Sequence, residues 1–232
     1  MIVYLLVKLT FLTSFMACLT QFKYSTKKTI LSIALFIVLI WSANLPIYLI
    51  CGYNLFNYLY PVTVALPAFL CFYFLSKNRV YRVLFSFFTV CNFGMLISYF
   101  GILFSFLFQN YSINMILEFL CFVGLIVFIL KVFRKPYFKV LNTLHAGWWL
   151  LCAVPSLLTL ILYSLLYYPT PIYDRPENII LVFLVFALMV VFYLTVYLNF
   201  ENITEYYQLK QDKEFLQMQI GLHKKEYDSI VE

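Results

Sequence analysis

Long stretches with almost no charge recur along this chain, and short basic clusters separate them. Each stretch of about 18 residues or more is long enough to cross a roughly 30 Å hydrocarbon core. A segment inside hydrocarbon has to satisfy its own backbone, which leaves helices or a closed barrel. The stretches are continuously apolar and lack the two-residue alternation of barrel strands, so they read as helices. Composition agrees: 64% of the 232 residues are hydrophobic and 11% are charged, too few to cover a water-facing surface. The expected fold is an all-α polytopic membrane bundle of about seven transmembrane helices with a C-terminal coiled-coil-like helix.

The seven spans run Ile2–Phe22, Thr29–Ile50, Leu55–Leu75, Val83–Phe108, Ile113–Leu130, Leu144–Tyr168 and Ile179–Asn199. The first connection carries Lys23, Lys27 and Lys28, the third Lys77, Arg79 and Arg82, and the fifth Lys131, Arg134, Lys135 and Lys139. Cys51–Asn54, Gln109–Ser112 and Pro169–Asn178 hold only Arg175. Basic residues collect on the cytoplasmic side, so the N-terminus is expected outside and the tail inside. The net charge of +6 then belongs to membrane anchoring, not nucleic-acid binding. Phe15-Met16-Ala17-Cys18 loosely echoes a lipoprotein cleavage box, but Lys8 already lies within the apolar run. The segment therefore reads as a retained first helix.

Within the spans few residues could carry chemistry. Glu118 is the one acidic residue inside a span. A charge at the bilayer centre costs about 2.5–3.5 kcal/mol, so such a residue is a candidate ligand-binding group, or else it reaches the interface or is protonated. Asn44 and Asn92 read as interhelical glue. Gly94, Ser98, Gly101 and Ser105 share one face of the fourth span and form a helix-packing seam, with a dimer face as the alternative. Pro46, Pro61, Pro67 and Pro155 mark kinks. The six cysteines (18, 51, 71, 91, 121 and 152) form no CxxC pair, so neither disulfides nor a metal site is expected. No cofactor is expected either: there is no phosphate-cradling glycine loop, no HExxH and no GxSxG. The two histidines, His145 and His223, stand apart and read as structural.

The chain divides into a bundle, residues 1–199, and a charged proline-free tail, residues 200–232. A heptad frame puts Tyr206, Lys213, Ile220 and Tyr227 at a, and Leu209, Leu216, His223 and Ile230 at d. Leu209, Leu216, Ile220, Tyr227 and Ile230 are the candidate dimerisation residues. The alternative is a lone amphipathic helix on the membrane surface.

Three stretches, FKYSTKKTI (Phe22–Ile30), KNRVYRVLFSFFTV (Lys77–Val90) and LQMQIGLHKKEYDSIVE (Leu216–Glu232), resemble the sensor half of GHKL-type bacterial histidine kinases, which include receptors for quorum-sensing peptides. The resemblance implies a bacterial cell-membrane sensor of a two-component system. It would act as a homodimer and receive an extracellular signal such as a peptide. His223 is followed by Lys224 and Lys225 and does not match the family's phosphoacceptor box, and no ATP-binding boxes occur, so no kinase activity is expected of these residues alone. The chain would be a kinase fragment, a truncated product or a stand-alone sensor. The outer connections hold about a dozen residues at most, too few for a folded domain, so a ligand would be read at the mouth of the bundle or from the lipid. A small transporter or accessory membrane subunit is the competing reading, and it would need polar residues along several spans.

Overall fold

The computed structural model describes residues 2–108, 111–143, 148–168 and 171–231. The chain is helical nearly throughout. Helix α1 (Ile2–Leu19) leads to α2 (Thr26–Tyr60), a π-helical turn (Pro61–Ala65) and α3 (Leu66–Leu75). Helix α4 spans Val80–Phe108 and α5 Tyr111–Phe128. A second π turn (Ile129–Phe133) joins α5 to α6 (Arg134–Thr143). Helix α7 (Trp148–Leu166) and two short 3₁₀ turns precede α8 (Ile179–Val231).

Among the described residues, five helical segments are long and apolar enough to cross a membrane: Thr26–Ile50, Tyr58–Leu75, Val80–Phe108, Ile113–Lys139 and Pro176–Asn199. Lys8–Leu19 and Leu151–Leu166 are apolar but shorter. The fold is therefore an all-helical bundle compatible with a multi-pass membrane protein. Its outward surface is aliphatic: Leu31, Val38, Leu49, Ile50, Leu107 and Ile180 are all well exposed. Water-soluble monomers rarely leave a contiguous apolar surface of this kind uncovered.

Helix α4 is the axis of the bundle, with 44% of its span buried against 11% for Thr26–Ile50. It packs on α7, α5, α1 and α3. The main core joins Phe15, Phe85, Tyr99, Tyr137, Leu162 and Met189 with their neighbours. A separate small cluster of Leu9, Ile40, Phe56 and Val64 gathers where the α2–α3 hairpin meets α1.

Two connections differ from the sequence expectation. The turn between the second and third spans is not a loop over Cys51–Asn54. It is a reversal at Gly52, whose φ of 76° lies in the left-handed region that glycine adopts without strain. The fifth basic connection, Lys131–Lys139, is helical: its apolar residues continue the helical stripe and bury Phe133 and Tyr137. Pro136 lies just past the π turn inside this continuous helix, and it removes one backbone donor there. The boundary between bundle and tail at residue 199 falls within α8, a single helix of 53 residues. The expected start of the sixth span at Leu144, and His145, lie outside the described residues.

The ends of the α2–α3 hairpin are fastened together. Lys23 N–H donates to Leu75 O (3.0 Å) and Lys77 N–H to Gln21 O (2.7 Å), forming an isolated bridge between Phe22 and Ser76. The first and third basic connections thus sit side by side at one end of the bundle, called here the basic end.

Candidate functional site

Glu118 is buried inside the bundle with its side chain 5% exposed, and Lys8 Nζ lies 3.5 Å from its Oε1. Each residue is about 10 Å along its helix from the end opposite the basic connections, by the 1.5 Å helical rise. Their pairing removes the isolated charge that either would otherwise place in an apolar environment. Sequence reasoning singled out Glu118 and noted Lys8 separately without joining them. The signal was present: α1 and α5 start from the same end, and the two charges have opposite signs at matching depth.

Gly101 makes room for the carboxylate. A Cβ at this position would sit 2.7 Å from Glu118 Oε2, while Gly124 has nothing within 4 Å. Gly94 is filled in the same way by Leu12, whose Cδ2 would be 2.6 Å from an added Cβ. The face formed by Gly94, Ser98, Gly101 and Ser105 therefore looks inward onto α1 and α5. We expect Gly101→Ala to push the carboxylate off Lys8 and destabilise the protein by about 1 kcal/mol, while Gly124→Ala stabilises it by roughly 0.5–1 kcal/mol through helix propensity. Detergent-solubilised unfolding curves compare the two, and equal signs would contradict the role given to Gly101.

The ion pair lines a cavity of about 900 Å³ between the α2–α3 hairpin and α1, α4, α5 and α7. Trp41, Tyr48, Phe56 and Tyr60 line the hairpin side, and Leu12, Phe87, Met95 and Tyr163 the opposite side. Gly94, Ser98, Gly101 and Ser105 of α4 all reach it. Asn44 fastens the hairpin wall from within: its Nδ2 donates to Ile40 O (2.8 Å) and to Thr63 O (3.2 Å) across the two arms.

Two polar knots hold the rest of the bundle in register. Asn92 is fully buried. Its Nδ2 donates to Pro155 O (3.1 Å) and to Tyr193 Oη (3.3 Å), and its Oδ1 accepts from Thr159 Oγ1 (2.9 Å). Tyr193 in turn donates to Thr89 Oγ1 (3.2 Å), so α4, α7 and α8 share one network. Near the basic end, Ser86 is hydrogen-bonded to Tyr137, which stacks on Phe133 and Phe85. Phe133 also stacks on Tyr197, which connects α8 to this cluster. At the other end Tyr99 Oη donates to Ile179 O (3.0 Å), and Arg175 Nη2 donates to Tyr168 O (2.9 Å). Helix α8 is thereby held at its start, middle and exit from the bundle.

Beyond the bundle the described side chains of α8 are exposed. Leu209, Leu216 and Ile220 are 69%, 56% and 67% exposed. The side chains of His223, Tyr227 and Ile230 lie outside the described residues, although their backbone continues the helix. Phe215 and Met218 are also exposed and fall off the a/d seam, so the apolar surface of the tail is broader than the heptad frame. Among the described residues the cysteines are free, and no group of His, Cys, Asp and Glu could hold a metal ion.

No known protein family, curated protein or solved structure matches the chain.

Proposed function

We propose that this protein is a membrane sensor in which the cavity beside Lys8 and Glu118 receives a small amphipathic signal and α8 carries its effect to paired tails. The observation that supports this most is the continuity of α8. One proline-free helix begins beside the far end of the cavity, where Tyr99 holds Ile179, and ends far outside the bundle. At 1.5 Å per residue its 53 residues extend about 80 Å. A rigid rod of this kind converts a small tilt or slide at one end into a displacement at the other. The sequence likeness to GHKL kinase sensors points the same way and supplies the expected setting: a bacterial cell membrane, a homodimer and a kinase output made elsewhere.

A transporter is the second reading, favoured by the buried ion pair, because ionisable residues within a membrane often line a substrate path. A path requires polar groups from one face to the other, whereas the charged and amide groups lining this cavity gather toward one end.

The sensor reading needs the tails to pair. Anchoring in one bilayer raises their effective concentration to roughly the millimolar range, so a short seam suffices. Burying each leucine-sized side chain contributes roughly 1.5–3 kcal/mol. Single cysteines scanned from Tyr206 to Ile230 in membranes should crosslink best at Leu209, Leu216, Ile220, Tyr227 and Ile230. Leu216→Asp with Ile220→Asp should abolish crosslinking. A flat profile, or a maximum on the Lys210–Gln217–Lys224 face, would reject the stalk in favour of a surface-lying helix.

Orientation is tested separately. With the basic end cytoplasmic, cysteines introduced at Asn78 and Ser229 should resist an impermeant thiol reagent in intact cells, while one at Glu177 should react. Strong labelling of Ser229→Cys from outside would reverse the topology.

A further inference from the structure

The cavity is graded along its length. It follows α4 from Leu84, one turn from the start of that helix, to Ser105 near its end. Those residues are about 30 Å apart by helical rise. A space of about 900 Å³ drawn out over that distance is long for its girth. Its half toward the basic end is lined by Leu66, Phe69, Leu84, Phe87 and Phe88. Its other half carries Lys8, Asn44, Ser98, Ser105, Asn114 and Glu118. The charged and amide groups thus gather toward one end of a largely apolar slot, which matches a molecule with a chain and a head.

The charge at the polar half specifies the head. Lys8 and Glu118 neutralise each other, so a head with net charge would leave an uncompensated charge against apolar walls. Contact with both members of the pair requires an acceptor facing the ammonium and a donor facing the carboxylate. We propose that the cavity binds a single-chain amphiphile whose head is uncharged overall and carries both a hydrogen-bond donor and an acceptor, of which a secondary amide is the simplest form. This deepens the sensing reading and rests on this cavity being the place where the signal is read. The chain lies along the wall formed by Leu66, Leu84 and the contacting rings of Phe69 and Phe87, and the head sits beside the ion pair. The α2–α3 hairpin forms one wall, with its ends fastened at the basic end and its reversal at Gly52 opposite.

The test is competition binding to the full chain in phosphatidylcholine nanodiscs, with tritiated N-dodecylacetamide as the probe and concentrations expressed per lipid. Four unlabelled competitors share one chain length: N-dodecylacetamide, dodecyl acetate, dodecanoate and dodecylamine. The amide should compete at least about tenfold better than the ester, which lacks a donor, and better than either charged head. Ala65→Phe, which fills the cavity midway, should remove saturable binding, and Leu84→Trp at the apolar end should shorten the best-bound chain. No saturable binding, equal competition by all four, or a charged head binding best would overturn the proposal. The unmodified chain alone decides these, so a variant that fails to fold does not shield it. Amide-selective binding that leaves tail crosslinking unchanged would sink the sensing reading and keep the ligand assignment. A tail response produced equally by all four heads would do the reverse.

Discussion

Glu118→Ala should destabilise the protein by about 3–5 kcal/mol, because it leaves the Lys8 ammonium without its carboxylate among apolar side chains. Lys8→Met combined with Glu118→Leu should recover most of that loss and could exceed the starting stability, since two apolar groups of similar volume carry no desolvation cost. The energy at stake lies in removing one member of the pair, not in forming it. Reversible unfolding of the purified protein in mixed micelles measures all three variants. A double variant no more stable than Glu118→Ala would mean that the two side chains are not coupled, and the 3.5 Å contact would lose its significance.

Asn92→Leu should cost about 2–3 kcal/mol. Individual hydrogen bonds between membrane helices average about 0.6 kcal/mol, but Asn92 makes three, and its loss strands buried partners on two other helices. Tyr193→Phe removes only part of the same network and should cost about a third as much. The same unfolding assay serves both. A value for Asn92→Leu within about 0.5 kcal/mol of the unmodified protein would show that packing alone holds α4 to α7 and α8.

The helices were legible because apolar length and basic punctuation are properties of single segments. Glu118, Asn44, Asn92 and the Gly94–Ser105 face stood out for a related reason: a polar or small residue is conspicuous in an apolar run. Their partners were not legible. Lys8 looked like an irregularity of the first helix, and nothing local says that Gly101 accommodates a carboxylate from α5. The reversal at Gly52 reads as a short loop because Gly52 and Asn54 are turn formers, whereas one left-handed residue is enough to turn the chain. Lys131–Lys139 was misread as a connection because charge was taken to end the helix. In fact Phe133 and Tyr137 keep one face buried while the lysines and Arg134 face outward. The cavity is a property of how six helices fail to fill the space between them, and no segment carries it.

The central claim is that the state of the cavity reaches the tail through α8. Disulfide formation between single cysteines from Tyr206 to Ile220, measured in membranes with and without Ala65→Phe, tests it most directly, since the substitution occupies the cavity without touching α8. The account predicts that the positions of strongest crosslinking change between the two backgrounds while expression and membrane insertion stay equal. Superimposable crosslinking profiles in two well-folded backgrounds would contradict it and leave the cavity and the tail as unrelated features of one bundle.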